Sequence, residues 1–456
     1  MKFTQRKIEE DYFKKNKFKY YIETMGCAMN ENDSAKYAGI MKSMGIEKAE
    51  NIEYANLVLF NTCCIRENAE DKLFGKLGAL KNRKKAQKDF YIAVVGCMTQ
   101  QEHIIEKIKK SYPFVDIVLG THSMDKFEEK LKLSIGESKK IREYLDIDGK
   151  VIENLPISYD SKTKASISII YGCNNFCTFC IVPYVRGRER SRKLEDIVND
   201  AKKLAKEGYK DITLLGQNVN SYGADLEDKN ANFANLLREL NKIEGIEFIR
   251  FISPHPKDFT DEVIYAIRDC NKVSKSIHLP LQSGSTEVLK SMNRKYTHDS
   301  YIKLADKIKA EIPDVSLTTD IIVGFPGETE ENFQDTLKVI NHVKFDQIYM
   351  FIYSRRKGTI ADRMENQIDE KIKVERLERV KALHSKIVED ENEKLIGKEF
   401  NVLVEGKSKN NDNKLSAKIY DSKTVIFDGS DELIGKIIKI EITQQHLWYL
   451  TAIVKK

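Results

Sequence analysis

The sequence predicts an α/β protein with three parts: an N-terminal doubly wound parallel sheet, a central (β/α) barrel and a small C-terminal β-barrel. Three observations carry that reading. Short apolar runs alternate with amphipathic stretches over the first part of the chain; the same rhythm resumes after a polar interval; and the tail changes to strand-like runs separated by short turns. At 456 residues the chain is long enough for two to four units that each bury a core, and the texture favours three, over 18–135, 159–390 and 392–456.

The first part pairs FKYYIET with a helix through Lys36 to Met44, and LVLFNT with one through Leu73 to Leu80. FYIAVVG then leads into a helix over Gln100 to Lys110, and VDIVLG into one near Phe127. From about 133 to 160 turn and polar residues dominate, which reads as a linker. The middle part opens near Ala165 with SISIIYG and continues through DITLLG, IEFIRF, SIHLPL, VSLTTDIIVG and FDQIYMFIY, with helices such as Leu194 to Lys206 and Glu330 to Asn341 between them. At least six such units predict a complete or partial parallel barrel. A charged helix over Asp369 to Ile396 leads to EFNVLVEG, KLSAKIY, TVIFDG, IGKIIKIEIT and WYLTAIVK, five runs that predict a barrel of the oligonucleotide-binding type. The first 17 residues carry no pattern that can be interpreted.

Composition narrows the function. The chain is 41% hydrophobic and 32% charged, with no apolar run long enough to cross a bilayer, so a membrane role is not expected. The N-terminus lacks the apolar core of a signal peptide, and a cytoplasmic protein is expected. Eight cysteines in that reducing setting point to metal ligands or catalytic groups rather than disulfides. A net charge of +6 is too mild to argue nucleic-acid binding alone, but two basic clusters stand out. They are Lys81, Arg83, Lys84, Lys85 and Lys88, and Arg186, Arg188, Arg190, Arg192 and Lys193. The plainer reading of either is a solvated face.

The segment GCNNFCTFC sets Cys173, Cys177 and Cys180 at C-x3-C-x2-C just after a predicted strand. With 8 cysteines in the chain, roughly 0.002 such triplets are expected by chance, so the spacing is read as a site. Three thiolates can hold three irons of a 4Fe-4S cluster and leave the fourth iron open. A zinc site would need a fourth ligand nearby, yet the next Cys or His after Cys180 is His255. A thioredoxin-like motif would need a helix that Pro183 interrupts.

With the aromatic Phe179 before its last cysteine, this segment resembles the signature of the radical-SAM superfamily. The resemblance implies S-adenosylmethionine (SAM) on the open iron, cleaved by one electron to a 5'-deoxyadenosyl radical that abstracts an unreactive hydrogen. It also implies SAM contacts at predicted strand ends: Gly216, Gln217 and Asn218 near the methionine moiety, His278 and Gln282, and Asp320 with the Gly324 backbone beside ribose and adenine. The plainer reading of each is a tight turn, or for His278 a satisfied structural histidine.

Cys27, Cys63 and Cys97 each follow a different predicted parallel strand, and such strand ends converge on one crevice. From the residues alone they are either a second cluster site or three buried small hydrophobes. The motifs MGCAMNENDS, NTCCIRENAE, GCMTQQ and YGCNNFCTFCIVPYVRGRERSR resemble the radical-SAM methylthiotransferases over nearly the whole chain. That resemblance implies two 4Fe-4S clusters: an auxiliary one on Cys27, Cys63 and Cys97, and a SAM-binding one on Cys173, Cys177 and Cys180. Cys64 and Cys270 match no ligand position.

Within that family, GQNVNSYG, HLPLQSGS, MNRKYT and TTDIIVGFPGETEE look like the branch acting on isopentenyl-adenosine 37 of tRNA, with a methylthio group added at carbon 2. The resemblance further implies a terminal TRAM domain that helps hold RNA, a reduced flavodoxin or ferredoxin as electron donor, and a sulfur donor; nothing demands more than a monomer. The tail, residues 392–456, has 11 Lys against 9 acidic residues, so charge alone makes a modest case. Phe427, Trp448 and Tyr449 are aromatic candidates there, read first as core residues. The rivals are a methylthiotransferase for threonylcarbamoyl-adenosine in tRNA, one for a ribosomal-protein aspartate, and a non-catalytic RNA-binding cluster carrier.

Overall fold

The computed structural model describes residues 8–9, 11–64, 69–144, 151–408, 411–419 and 423–455. The chain forms two compact units. One comprises Met1–Asn174, Cys180–Arg192 and Leu215–Gln217, the other Asn175–Phe179, Lys193–Leu214 and Asn218–Lys456.

The first unit starts with α1 (Tyr12–Lys15), β1 (Lys19–Thr24), α2 (Ala28–Ser43), β2 (Glu47–Lys48), β3 (Leu57–Thr62) and α3 (Ala69–Ala86). It continues with β4 (Tyr91–Gly96), α4 (Glu102–Ser111), β5 (Ile117–Leu119), α5 (Phe127–Glu137) and β6 (Ile141–Glu143). All six strands pair in parallel in the order β2-β1-β3-β4-β5-β6. Side-chain alternation splits the central strands between two cores: Leu57, Leu59, Ala93 and Val95 face one, and Val58, Phe60, Ile92 and Val94 the other. Burial on both faces is why these strands read as unbroken apolar runs. The order reverses between β1 and β3, the switch point at which open α/β sheets leave a crevice at their carboxyl ends.

Three expectations change here. Residues 133–143 are not linker, because α5 runs to Glu137 and β6 adds a sixth strand. Ile135 and Ile141 continue the same core, but a three-residue strand is too short to show a period. Phe13, fully buried against Phe18, extends that core into the first 17 residues. SISIIYG splits into β7 (Lys164–Ser168) and β8 (Ile170–Tyr171), because Ile169 turns aside to donate its N–H to Leu215 O and accept from Arg192 N. The unit closes with α6 (Val182–Arg186) and β9 (Arg190–Ser191), which pairs antiparallel with β8.

The second unit runs α7 (Leu194–Lys206), β10 (Asp211–Leu215), α8 (Phe233–Asn241), β11 (Phe248–Phe251), α9 (Asp261–Asp269) and β12 (Ser276–His278). It then runs α10 (Thr286–Ser291), α11 (His298–Glu311), β13 (Ser316–Val323), α12 (Glu330–Val343), β14 (Gln347–Ile352) and α13 (Glu370–Glu393). β10 pairs in parallel with β11, and β13 with β12 and β14. A bridge from Ile249 to Val273 carries the series from β11 towards β12, giving the strand-helix succession of an open (β/α) barrel. Helix starts are written locally: Thr297 with Ser300 and Thr329 with Asn332 form capping boxes, and Asn232, Thr260 and Asp369 cap three more helices.

The tail forms β15 (Glu399–Ser408), β16 (Asn411–Ile419), β17 (Lys423–Asp428), β18 (Ile437–Gln445) and β19 (Tyr449–Val454), closed as β15-β16-β17-β19-β18. Its core holds Val402, Val404, Leu415, Val425, Phe427, Ile440 and Leu450. Lys423, anchored on Asn392 Oδ1 and Asp346 Oδ1 at 2.9 Å each, ties this barrel to the rest of its unit.

Candidate active site

Asn30, on the first turn of α2, organises the three strand-end cysteines of the first unit. Fully buried, it donates to Met25 O beyond β1 (3.0 Å) and Thr62 O at the end of β3 (2.9 Å), while its own carbonyl accepts from Asn61 Nδ2 (2.7 Å). Its Oδ1 lies 3.9 Å from Cys27 Sγ and 3.8 Å from Cys97 Sγ. Cys63 packs against Gly26: a Cβ on that glycine, whose φ is +132°, would stand 2.6 Å from Cys63 Cβ and 3.0 Å from its sulfur. The cysteines predicted for the auxiliary cluster therefore share one edge, with Cys27 and Cys63 flanking the switch point.

Arg186 supplies the charge there. It is buried and donates from Nε to Cys97 Sγ at 3.1 Å, and from Nη2 to Asn30 Oδ1 at 2.9 Å and Asp33 Oδ2 at 2.8 Å. Burial opposes its charge, but Cys97, Asp33 and Cys27 outweigh that and hold it above the ordinary arginine range. The Cys97 thiol is drawn down, first by a hydrogen bond with Cys64 and then, against burial, by Arg186; Cys64 is pushed up in return. A thiolate beside a fixed cation suits an iron ligand. Among the described residues no three His, Cys, Asp or Glu side chains close in tightly enough for a single metal ion. A four-iron cluster asks for a wider set, because each thiolate binds a different iron.

The C-x3-C-x2-C loop is anchored separately in each unit. In the first, Gly172 at φ +77° donates its N–H to Gln217 Oε1, and Cys173 N–H donates to Gly187 O at 3.1 Å. A Cβ on Gly172 would lie 2.0 Å from Arg188 O, so only glycine fits. Cys180 is half-buried in this unit. In the second, Asn293 donates to the carbonyls of Asn175 and Phe176 at 3.1 and 3.0 Å. Phe179 packs edge-on to Phe325, and Arg294, buried, donates to Cys177 Sγ at 3.5 Å.

The residues expected to contact SAM divide into two groups. Gln217 is already engaged with Gly172, Asn218 is buried with its amide on Asp258 Oδ2 at 2.8 Å, and Gly216 is buried at the end of β10. The Gly324 N–H is taken by Glu328 Oε2 at 2.7 Å, itself held by Arg376 at 2.7 Å. These four shape the surrounding loops. His278, Asp320 and Gln282 are different. His278 accepts or donates at Thr318 Oγ1 (3.0 Å) and faces Asp320 Oδ2 (3.3 Å) across neighbouring strands. Gln282 adopts φ +67° to rejoin β13, exchanging backbone hydrogen bonds with Asp320 and Ile322, and its buried Oε1 meets no hydrogen-bond partner among the described residues. An unsatisfied buried oxygen on a residue whose backbone pairs with Asp320 fits a polar ligand.

The second basic cluster is not a solvated face. Arg186 serves the cysteines, and Arg192 is buried against Glu153 with Nε at 2.8 Å; only Arg188 and Lys193 are exposed. In the first cluster Arg83 caps Ile52 and Ala55 carbonyls at 2.6 Å each and Lys84 pairs with Asp116 at 2.7 Å, leaving Lys81, Lys85 and Lys88 exposed. In the tail, Phe427 is core as expected, but Trp448 is 55% and Tyr449 39% exposed. Leu450 and Ala452 take the inward positions of β19, so Tyr449 must face out, and Trp448 stands in the preceding turn. Asn30, Asp33, Asn293 and Arg294 escaped sequence reasoning as individual residues. The quoted motifs MGCAMNENDS and MNRKYT held them, but no spacing rule singles them out.

Comparison with known proteins gives three matches along the chain: Radical SAM superfamily over 167–340, Uncharacterized protein family UPF0004 over 19–120 and TRAM domain over 393–455. A tRNA-2-methylthio-N(6)-dimethylallyladenosine synthase of Clostridium beijerinckii is 50% identical over 456 residues, covering 100% of both chains. One of Clostridium botulinum is 52% identical over 425 residues, 93% of each chain. Among solved structures, the radical S-adenosylmethionine methyltransferase TsrM from Kitasatospora setae, with cobalamin and a [4Fe-4S] cluster bound, superposes with a TM-score of 0.56 over 76% of this chain and 77% of its own. At 14% identity that likeness concerns the fold. With two strand-end cysteine sets, a radical SAM core and a TRAM barrel, this chain belongs to the radical SAM methylthiotransferases, in the tRNA-2-methylthio-N(6)-dimethylallyladenosine synthase branch.

Proposed function

We propose that this chain adds a methylthio group to carbon 2 of N(6)-isopentenyl (dimethylallyl) adenosine at tRNA position 37, giving 2-methylthio-N(6)-dimethylallyladenosine. The observation that carries the reading is the gathering of Cys27, Cys63 and Cys97 around Asn30, in a chain that also bears the Cys173, Cys177, Cys180 loop. When bound, two 4Fe-4S clusters and SAM would supply one-electron chemistry and a sulfur-bearing site.

The chain's own residues do the holding. Cys27, Cys63 and Cys97 are assigned to the auxiliary cluster, and Cys173, Cys177 and Cys180 to the SAM cluster. Gln282, His278 and Asp320 are assigned to direct polar contact with SAM. Phe179, Gly216, Gln217, Asn218 and Gly324 are assigned to shaping its pocket. By segment, 18–135 carries the auxiliary site, 159–390 the radical core and 392–456 the RNA contact. A stacked His446–Tyr449 pair, with centroids 4.2 Å apart, and the neighbouring exposed Trp448 offer a platform for bases. No helix among the described residues is long and apolar enough to cross a membrane. A cytoplasmic monomer served by a reduced flavodoxin or ferredoxin and a separate sulfur donor completes the proposal.

The test is anaerobic incubation with SAM, reductant and tRNA carrying either isopentenyl- or threonylcarbamoyl-adenosine 37, with nucleosides read by mass spectrometry. A methylthio product from the isopentenylated tRNA is expected. Product from the other tRNA alone, or SAM left intact under strong reduction, would overturn the assignment.

A further inference from the structure

In each cysteine set a buried arginine donates an N–H to a cysteine sulfur, and the two arginines differ in their other partners. Arg186, on Cys97 Sγ at 3.1 Å, is matched by a carboxylate: its Nη2 lies 2.8 Å from Asp33 Oδ2, and both residues are 6% exposed. Arg294, on Cys177 Sγ at 3.5 Å, otherwise hydrogen-bonds only neutral groups among the described residues, Tyr296 OH at 2.9 Å and Pro280 O at 3.1 Å. Tyr296 spends its own hydroxyl on the Pro280 and Leu281 carbonyls at 2.9 and 2.8 Å, which fixes the guanidinium in place. One sulfur thus faces an arginine paired with a carboxylate, and the other an arginine that has no ion-pair partner among the described residues.

That difference has a defined electrostatic consequence. Adding an electron makes a cluster more negative, so a nearby positive charge and N–H bonds to sulfur raise its reduction potential, and a nearby carboxylate lowers it. Burial strengthens both effects by excluding water. Resting on the two-cluster reading above, we propose that Arg294 and Asp33 decide which cluster takes the incoming electron. Arg294 makes the cluster on Cys173, Cys177 and Cys180 the preferred acceptor, while Asp33 cancels Arg186 and keeps the auxiliary cluster oxidised. The step is one electron from an external low-potential one-electron reductant to one cluster, with no bond made or broken and no proton moved.

The experiment is an anaerobic redox titration of full-length, cluster-bearing protein with dithionite and mediators, followed by electron paramagnetic resonance. The two triple-alanine variants of the cysteine sets assign the signals. Arg294→Met is expected to lower the reduced-to-oxidised ratio of the SAM cluster about tenfold at the wild-type midpoint, a shift of about 59 mV for one electron. Arg294→Lys, which keeps the charge, should restore most of it, and the auxiliary cluster should not move in either. Asp33→Asn should raise the auxiliary potential alone. Both midpoints unmoved in Arg294→Met and Asp33→Asn, or lysine behaving as methionine, would overturn the proposal. If Arg294→Met fails to retain its cluster, Asp33→Asn decides: an unmoved auxiliary potential rejects the scheme. A wild type holding only about four irons would instead remove the two-cluster reading beneath it.

Discussion

Cys64 sits beside Cys63 in sequence and against Cys97 in space, sharing a small apolar cluster with Cys97, Ile181 and Val185. Its hydrogen bond with Cys97, then burial, pushes the Cys64 thiol up, and the family motif leaves this cysteine outside the proposed ligand set. Cys64→Ser should therefore keep about eight irons per chain, whereas alanine at Cys27, Cys63 and Cys97 together should leave about four, measured anaerobically. A Cys64→Ser protein with half the iron would make Cys64 a ligand after all. Asn30 is the more exacting residue. It reaches two strand ends and Arg186 at once, and Asn30→Ala leaves buried donors and acceptors unmet. We expect a loss of about 2–4 kcal/mol in unfolding free energy together with poor occupancy of the auxiliary cluster, read by denaturant midpoint and iron assay. Arg186 and Arg192 show how residue type misleads: an arginine-rich run reads as a nucleic-acid patch, but two of its members are spent inside the fold.

At the scale of elements, Cys27, Cys97 and Cys173 each directly follow a glycine at positive φ. Gly172 is the sharpest case, since an added methyl would meet Arg188 O at 2.0 Å. Gly172→Ala should cost about 1–3 kcal/mol locally and remove the SAM cluster's four irons while the auxiliary cluster stays, visible as selective loss of SAM cleavage and of one spectroscopic signal. The outer face of β19 presents a second element-level expectation. Alanine at Trp448 or Tyr449 should weaken tRNA binding roughly tenfold, in line with about 1–3 kcal/mol per stacked base, and leave tRNA-independent SAM cleavage unchanged. Equal affinity in filter binding would assign those rings to no RNA contact. The main strand runs and several helices were readable because apolar period is a local signal, as the Leu194–Lys206 helix shows end to end, whereas the starts of α2 and α3 lie earlier than the period alone suggested. β2 and β6 were not readable, because two or three residues carry no period and join the sheet only through neighbours already in place.

Across the second unit, α13 links the parallel strands to the terminal barrel and carries a buried histidine. His384 bonds Phe345 O through Nε2 at 3.2 Å, while its buried Nδ1 has no partner among the described residues. Burial, ahead of all other influences, holds it down to about 4. The unfolded chain takes up this proton near 6.5 and the folded chain only near 4. Stability supplied by the neutral ring is therefore present above pH 6.5 and drains away as pH falls towards 4. The loss between pH 7 and pH 5 should be about 2 kcal/mol, and His384→Gln should remove that slope from the denaturation profile. A slope that survives the substitution would place its origin elsewhere.

The fold class and the five-stranded tail were legible in the sequence, and six cysteines stood out there as candidate cluster ligands, because apolar period and cysteine spacing act over a few residues or recur at successive strand ends. The sequence by itself determined the branch of the family too, through motifs spread along the whole length. Only the tertiary structure decided what surrounds those cysteines. Asn30 lies three residues from Cys27 but bonds to Thr62; Arg186 reaches Cys97 across 89 positions, and Arg294 reaches Cys177 across 117. Such partners are chosen by strand order and by the direction a side chain takes from its backbone, and neither leaves a local trace. The charge that each sulfur feels belongs to the folded molecule alone.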